Sequence, residues 1–157
     1  MNLLLWGTQI DESLFPILDL IRAIGFEGVE VPIFDTNPKA WHSWRKKLDE
    51  LGLHRECDTF CGPTENLISA DASIRANGLA HLKKVIDCGA VLGATKLMGP
   101  YHSALGIFTG QAATSDEWKW GWRVFNNWLI TPKNKGFCSV WSISIVLNYT
   151  SQAVAMN

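Results

Sequence analysis

The stretch LIRAIGFEGVEV, residues 20–31, changes period at a glycine: apolar side chains at helical spacing run up to Ile24, Gly25 follows, and an alternating run begins at Gly28. Glycine just past a helix takes the left-handed conformation without a Cβ penalty, so the stretch reads as a helix C-cap feeding a strand. The arrangement returns at Gly52 in KLDELGLHRECDTF (47–60) and at Gly93 in AVLGATKLMG (90–99). Three such junctions predict βαβ units on a parallel sheet.

Working outward, the apolar spacing predicts helices over 12–24, 38–51 and 71–92. The first carries Leu14, Ile17, Leu18, Ile21 and Ile24 on one face, with Asp11 or Ser13 as N-cap and Pro16 in the first turn. The second carries Trp41, Trp44, Leu48 and Leu51, and the third Ile74, Leu79, Leu82, Val85 and Ile86 behind the capping candidates Ser69 and Asp71. Strands are expected at LLLWG (3–7), GVEVPI (28–33), HRECDTF (54–60) and TKLMG (95–99). These make about four βα units, either half of an eight-unit barrel or one arm of a doubly wound sheet. WGTQIDES, after the first strand, lacks the G-x-G-x-x-G spacing, which speaks against dinucleotide binding.

Composition agrees with a folded α/β chain. At 157 residues, 47% hydrophobic and 18% charged, a single domain buries about two thirds of its unfolded surface. Fourteen basic against fifteen acidic residues leave a net charge of -1, and the tight basic cluster Arg45-Lys46-Lys47 spreads over a solvated helix face. Neither nucleic acid nor an anionic membrane is expected as partner. MNLLLWGTQIDE has no basic leader and too short an apolar core for a secretory signal or a span, so a cytoplasmic protein is expected. The four cysteines, Cys57, Cys61, Cys88 and Cys138, show no disulfide framework, and Cys57 with Cys61 lacks the second pair of a zinc site.

Several residues stand where chemistry is done. GATKLMGPYHSALG (93–106) is an apolar run stopped at Gly99-Pro100, which puts Tyr101 and His102 at the carboxyl edge of a strand. In α/β proteins that edge builds ligand sites; the alternative is a loop-packing role in which the tyrosine ring covers the strand end. Glu30 lies inside an apolar strand, so it is paired, hydrogen-bonded or at an open edge. Cys61 and Gly62 end the third strand; small side chains there allow close approach of a ligand, against the ordinary reading of a packed cysteine. Glu56 and Asp58, two apart, face the same side, and His42, His54 and His81 read as surface or satisfied histidines. Trp118, Trp120 and Trp122 read as packing residues before sugar-stacking ones.

The tail departs from this grammar. All acidic residues lie at or before Glu117, and residues 118–157 contain none. The segment 137–147, FCSVWSISIVL, has strand propensity and no charge, an aggregation hazard without a neighbour. Two regions are therefore expected, 1–121 and a divergent 122–157.

GFEGVEVPIFD (25–35), NLISADASIRANGLAHLKKVIDCGAVLGA (66–94), GPYHSALGIFTG (99–110) and TSDEWKWG (114–121) together resemble the sugar isomerases and epimerases of the xylose-isomerase-like TIM-barrel superfamily, of the D-tagatose 3-epimerase type. The resemblance, over roughly residues 2–121, implies a partial (β/α)₈ barrel of about four βα units. It implies a sugar substrate, proton transfer beside a carbonyl, and a divalent metal (Mn, Co or Mg) held in the full-length family by residues of later strands. It places Trp6, Glu30, Cys61 with Gly62, and Tyr101 with His102 on the sugar side of the barrel mouth as substrate-binding residues. Where relatives carry a fifth strand resembling E-x-L-N-R-F-E, this chain reads SVWSISIVLN (139–148) without a carboxylate. No metal ligand or catalytic acid/base is therefore assigned, and a reading frame disrupted between about 122 and 147 is expected. The expected product is a truncated, inactive epimerase or, alternatively, a non-catalytic half barrel acting through self-association with a second copy.

Overall fold

The computed structural model describes residues 1–124 and the backbone of 138–139. The described residues divide into two compact units, one formed by Met1–Thr59 and Leu82–Met98, the other by Phe60–His81 and residues 99–124.

The first unit is built on three parallel strands, β1 (Gly28–Pro32), β2 (His54–Asp58) and β3 (Lys96–Met98), in the order β1-β2-β3, with the two-residue strand β4 (Cys138–Ser139) next to β3. Register places Glu30 beside Glu56, and Asp58 beside Met98. Alternation along the strands sends Val29, Val31, Cys57 and Leu97 to one face, where all four are buried. Glu30, Glu56, Asp58 and Lys96 fall on the other face. Helices α1 (Phe15–Ala23) and α2 (Trp41–Leu51) contribute Leu18, Ile21, Trp41, Trp44 and Leu48 to the core. Phe15 meets Trp44 edge-on with ring centroids 5.3 Å apart, and Trp41 lies 6.1 Å from Trp44.

The expected caps are present. Gly25, Gly52 and Gly93 have φ of 98°, 61° and 86°, and Gly52 donates its N–H to the carbonyls of Asp49 and Leu48 at the end of α2. Pro16 sits in the first turn of α1, while Asp11 caps the short 3₁₀ turn Glu12–Leu14 ahead of it. Ile24, expected in the buried stripe, is 61% exposed because the helix ends at Ala23 and the chain turns there. Strand β2 stops at Asp58, two residues short of the expected end.

The strand expected at 3–7 is instead a 3₁₀ helix, Leu3–Trp6. Pairing begins at the first two residues, where Met1 accepts from the Glu30 N–H at 2.9 Å and Asn2 bridges Glu30 in parallel. The Asn2 side chain then accepts from the Leu4 N–H at 2.8 Å and turns the backbone away from the sheet. Trp6 is left 39% exposed.

Helix α3 (Ala72–Leu92) starts at Asp71, whose carboxylate accepts from the Ser73 N–H at 2.7 Å, while Ser69 Oγ accepts from the Asp71 N–H. Ile74 and Leu79 are half-buried; Leu82, Val85 and Ile86 are buried.

The second unit pairs two connecting segments. Cys61 and Ala104 form a parallel bridge, and the Leu105 N–H donates to the Cys61 carbonyl at 2.9 Å. Helix α4 (Ser115–Val124) opens on a capping box in which Thr114 and Glu117 exchange side-chain-to-backbone bonds of 2.6 and 3.2 Å. Arg75 lies over the Trp120 ring at 4.3 Å from its centroid. Trp118 and Trp122, expected to pack, are 58% and 65% exposed, because α4 turns that face to solvent. No helix among the described residues is long and apolar enough to cross a membrane. The rest of the expected fifth-strand segment 137–147 and the expected frame change beyond residue 124 lie outside the described residues.

Candidate functional site

The described structure holds two polar clusters, one in each unit. In the first unit, Asn2 Nδ2 donates to Glu30 Oε2 at 2.8 Å and to Asp58 Oδ2 at 2.6 Å, so one amide holds two carboxylates. Asp58 is only 6% exposed, and its Oδ1 is buried with no hydrogen-bond partner among the described residues. Burial raises the Asp58 carboxyl to about 6; the Asn2 bond opposes the rise, and the charge of Glu30 adds to it. Its expected neighbour Glu56 is engaged elsewhere: that carboxylate accepts from the N–H groups of Thr95 (3.2 Å) and Lys96 (2.6 Å) and pairs with the Lys96 ammonium at 3.3 Å. Glu56 thus anchors the start of β3, and the partner of Asp58 is Asn2, which sequence reasoning missed.

A divalent metal does not fit this cluster. The amide nitrogen that touches both carboxylates presents hydrogens, not lone pairs, and a hard cation needs several converging oxygens. Among the described residues no group of three or more His, Cys, Asp and Glu is arranged to hold a metal.

In the second unit, the Cys61–Ala104 bridge brings the segment carrying Cys61 and Gly62 alongside the one carrying Tyr101 and His102. Cys61 is fully buried, and burial with the nearby charge of Glu65 pushes its thiol up to about 12, so it stays protonated and unreactive. Tyr101 is 1% exposed, as the loop-packing alternative requires. His102 is 9% exposed and lines a cavity of about 180 Å³ together with Asn66, Ile68, Ser103, Leu105 and Glu117. Burial lowers its imidazole to about 4, so the ring is neutral at pH 7. Its Nε2 lies 3.0 Å from Ser103 Oγ. Of the six residues expected at a sugar site, Trp6 and Glu30 belong to the first unit, and Cys61, Gly62, Tyr101 and His102 to the second. Ser103 was not singled out from sequence, although it directly follows His102; a polar residue next to a strand-end histidine was the available signal.

A family model described as xylose isomerase-like TIM barrel matches residues 18–128. No curated protein matches the sequence. Among solved structures, the chain is similar to a D-psicose 3-epimerase in the presence of D-fructose, with a TM-score of 0.76 and 20% identity over 88% of this chain and 50% of that one. It is similar to an L-ribulose 3-epimerase, with 0.79 and 22% over 90% of this chain and 48% of that one. A third is a D-allulose 3-epimerase from Methylomonas sp. in complex with D-allulose, with 0.78 and 19% over 89% and 49%. At these identities the likeness is one of fold, an α/β partial barrel, and the chain spans about half the length of the solved structures it matches.

Proposed function

The chain belongs to the xylose isomerase-like TIM-barrel family, and from that membership we propose that it carries the N-terminal half of a ketose 3-epimerase-like sugar isomerase, with residues 1–121 supplying the sugar-facing side of the site. The observation that carries this reading is the fold likeness to three sugar 3-epimerases over 88%, 90% and 89% of the chain. It is supported by the cavity at His102, on the segment that follows β3. In this reading Trp6, Glu30, Cys61, Gly62, Tyr101 and His102 contact or support the sugar. The metal of the full-length site and its acid/base groups belong to strands beyond those described here, and a cytoplasmic setting accords with three buried free thiols, Cys57, Cys61 and Cys88.

The chain's own residues bind and orient but do not turn over substrate. Glu30 and Asp58 are held by Asn2, which leaves neither poised to exchange a proton beside a carbonyl. The test is saturation-transfer NMR of the full chain with D-fructose or D-allulose, alongside an epimerisation assay with Mn²⁺, Co²⁺ or Mg²⁺. Ketose binding without turnover is expected. Absence of binding sinks the sugar reading, and measurable turnover sinks the claim that this chain is inactive.

The second reading, a half barrel acting through self-association, rests on the apolar side chains that the second unit exposes: Leu105 (52%), Ile107 (53%), Phe108 (71%), Trp118 and Trp122. A defined dimer in sedimentation supports it, and a monomer at tens of micromolar or a heterogeneous aggregate does not.

A further inference from the structure

We propose that Ser103, oriented by His102, is the specificity-determining contact of the cavity in the second unit, where it reads one hydroxyl of a neutral polyhydroxylated ligand. The inference rests on the ketose reading above and adds to it a residue and a mode of recognition.

Several oxygens around the cavity already accept hydrogen bonds from the loop itself. Asn66 Oδ1 accepts from the Ile68 N–H at 3.1 Å, and Thr109 Oγ1 accepts from the Gln111 N–H at 3.2 Å. Glu117 Oε2 accepts from both the N–H and the hydroxyl of Thr114, at 2.6 and 2.9 Å. These bonds commit the Asn66, Thr109 and Glu117 oxygens to shaping the loop and capping α4. Ser103 has as its hydrogen-bond partner the Nε2 of a histidine held neutral by burial.

A neutral imidazole nitrogen either accepts or donates, according to tautomer. If Nε2 accepts, the Ser103 hydroxyl gives its hydrogen to the ring and turns its lone pairs to the cavity. If Nε2 donates, Ser103 accepts and its own hydrogen is free for a ligand. The pair therefore matches a group that is itself both donor and acceptor, which is what a sugar hydroxyl is. A carboxylate or phosphate uses only the second arrangement, and no lysine or arginine is among the described residues lining the cavity to offset its charge. The volume, about 180 Å³, lies below the roughly 300–1,000 Å³ of sites for drug-sized molecules and suits one small ligand. Ile68, Pro100 and Leu105 supply apolar wall for the C–H faces of a ring.

The experiment is a titration of the full chain with D-fructose, repeated with Ser103→Ala, Ser103→Thr and His102→Phe, with folding checked by circular dichroism. Loss of a neutral hydrogen bond predicts a roughly fivefold to tenfold weaker Kd for Ser103→Ala and for His102→Phe. Ser103→Thr keeps the hydroxyl and restores binding to within about twofold. In the unmodified chain, the ¹⁵N shift of His102 Nε2 moves on ketose addition, and Ser103→Ala abolishes the movement, which a purely structural serine would not produce. A folded Ser103→Ala that binds like the parent overturns the inference and leaves the sugar reading standing. Failure of the unmodified chain to bind ketose overturns both.

Discussion

In the first unit a buried carboxyl, Asp58, keeps a charged neighbour in Glu30 and shares a donor with it, whereas in the second a buried imidazole, His102, is emptied of charge and set against a hydroxyl. Both groups lost water on folding, but one environment stores electrostatic tension and the other removes it. The stored tension belongs to a unit whose hydrophobic support is strong: β1 to β3 press Val29, Val31, Cys57 and Leu97 into one buried face, and α1 and α2 add two tryptophans. Among the described residues, the second unit holds its cavity through the Cys61–Ala104 bridge between loops and two helix segments. A well-packed unit tolerates a destabilising carboxylate pair, whereas the second unit sets a neutral ring beside its cavity.

The largest expected effect removes that support. Trp44 is 2% exposed between Phe15 and Trp41, so Trp44→Ala should cost about 3–5 kcal/mol, the range for a deleted core aromatic. Urea unfolding followed by circular dichroism measures it. A loss below about 1 kcal/mol would break the comparison, since the first unit would then not owe its tolerance to packing.

The next effect releases the tension. The Asp58 carboxyl is raised from 3.8 to about 6 in the folded chain, so folding favours its protonated form. Its contribution is fully present below about pH 4 and is lost as pH rises through about 6. A shift of that size corresponds to at most roughly 3 kcal/mol. Asp58→Asn, which stays neutral, should therefore be more stable than the parent at pH 7, and the difference should vanish by about pH 4. Equal stability curves across that range would mean that the Asp58 carboxylate carries no electrostatic penalty in the folded chain, and would remove the contrast with His102.

The glycine-capped junctions at Gly25, Gly52 and Gly93 were legible because a left-handed residue after a helix is a local demand on one residue type. The strand expected at 3–7 was not, because a period-two apolar run says nothing of the Asn2 side chain, whose bond to Leu4 turns the chain into a 3₁₀ helix. Asp58 was visible as facing the same side as Glu56, but its hydrogen-bond partner Asn2, 56 residues distant, was not. The position of His102 just past β3 was legible from the Gly99-Pro100 stop ahead of it. Ser103 was not, since its role depends on an imidazole nitrogen 3.0 Å away and a cavity assembled from Asn66 through Glu117. Local rules reach caps and strand ends, whereas partner choice inside a site is set by contacts between distant segments.

The smallest effect tests how rigid the second unit is. A Cβ built on Gly78 of α3 would sit 2.2 Å from the Glu65 carbonyl oxygen and 2.9 Å from Leu67 Cδ2. The first of these is backbone and cannot rotate away. Alanine improves helix propensity by about 1 kcal/mol over glycine, while forcing a methyl into a closed contact costs about 1–3 kcal/mol. Gly78→Ala should therefore lose up to about 2 kcal/mol net, and the loss should be local. Hydrogen exchange should show faster amides around Leu67 and Ser69, with Val31 and Cys57 in the sheet unchanged. If the substitution stabilises the chain instead, the segment 63–67 yields to the methyl, and the cavity wall that begins at Asn66 is compliant. Ser103 would then meet its ligand by adjustment of that wall, and the affinity lost in Ser103→Ala would shrink accordingly.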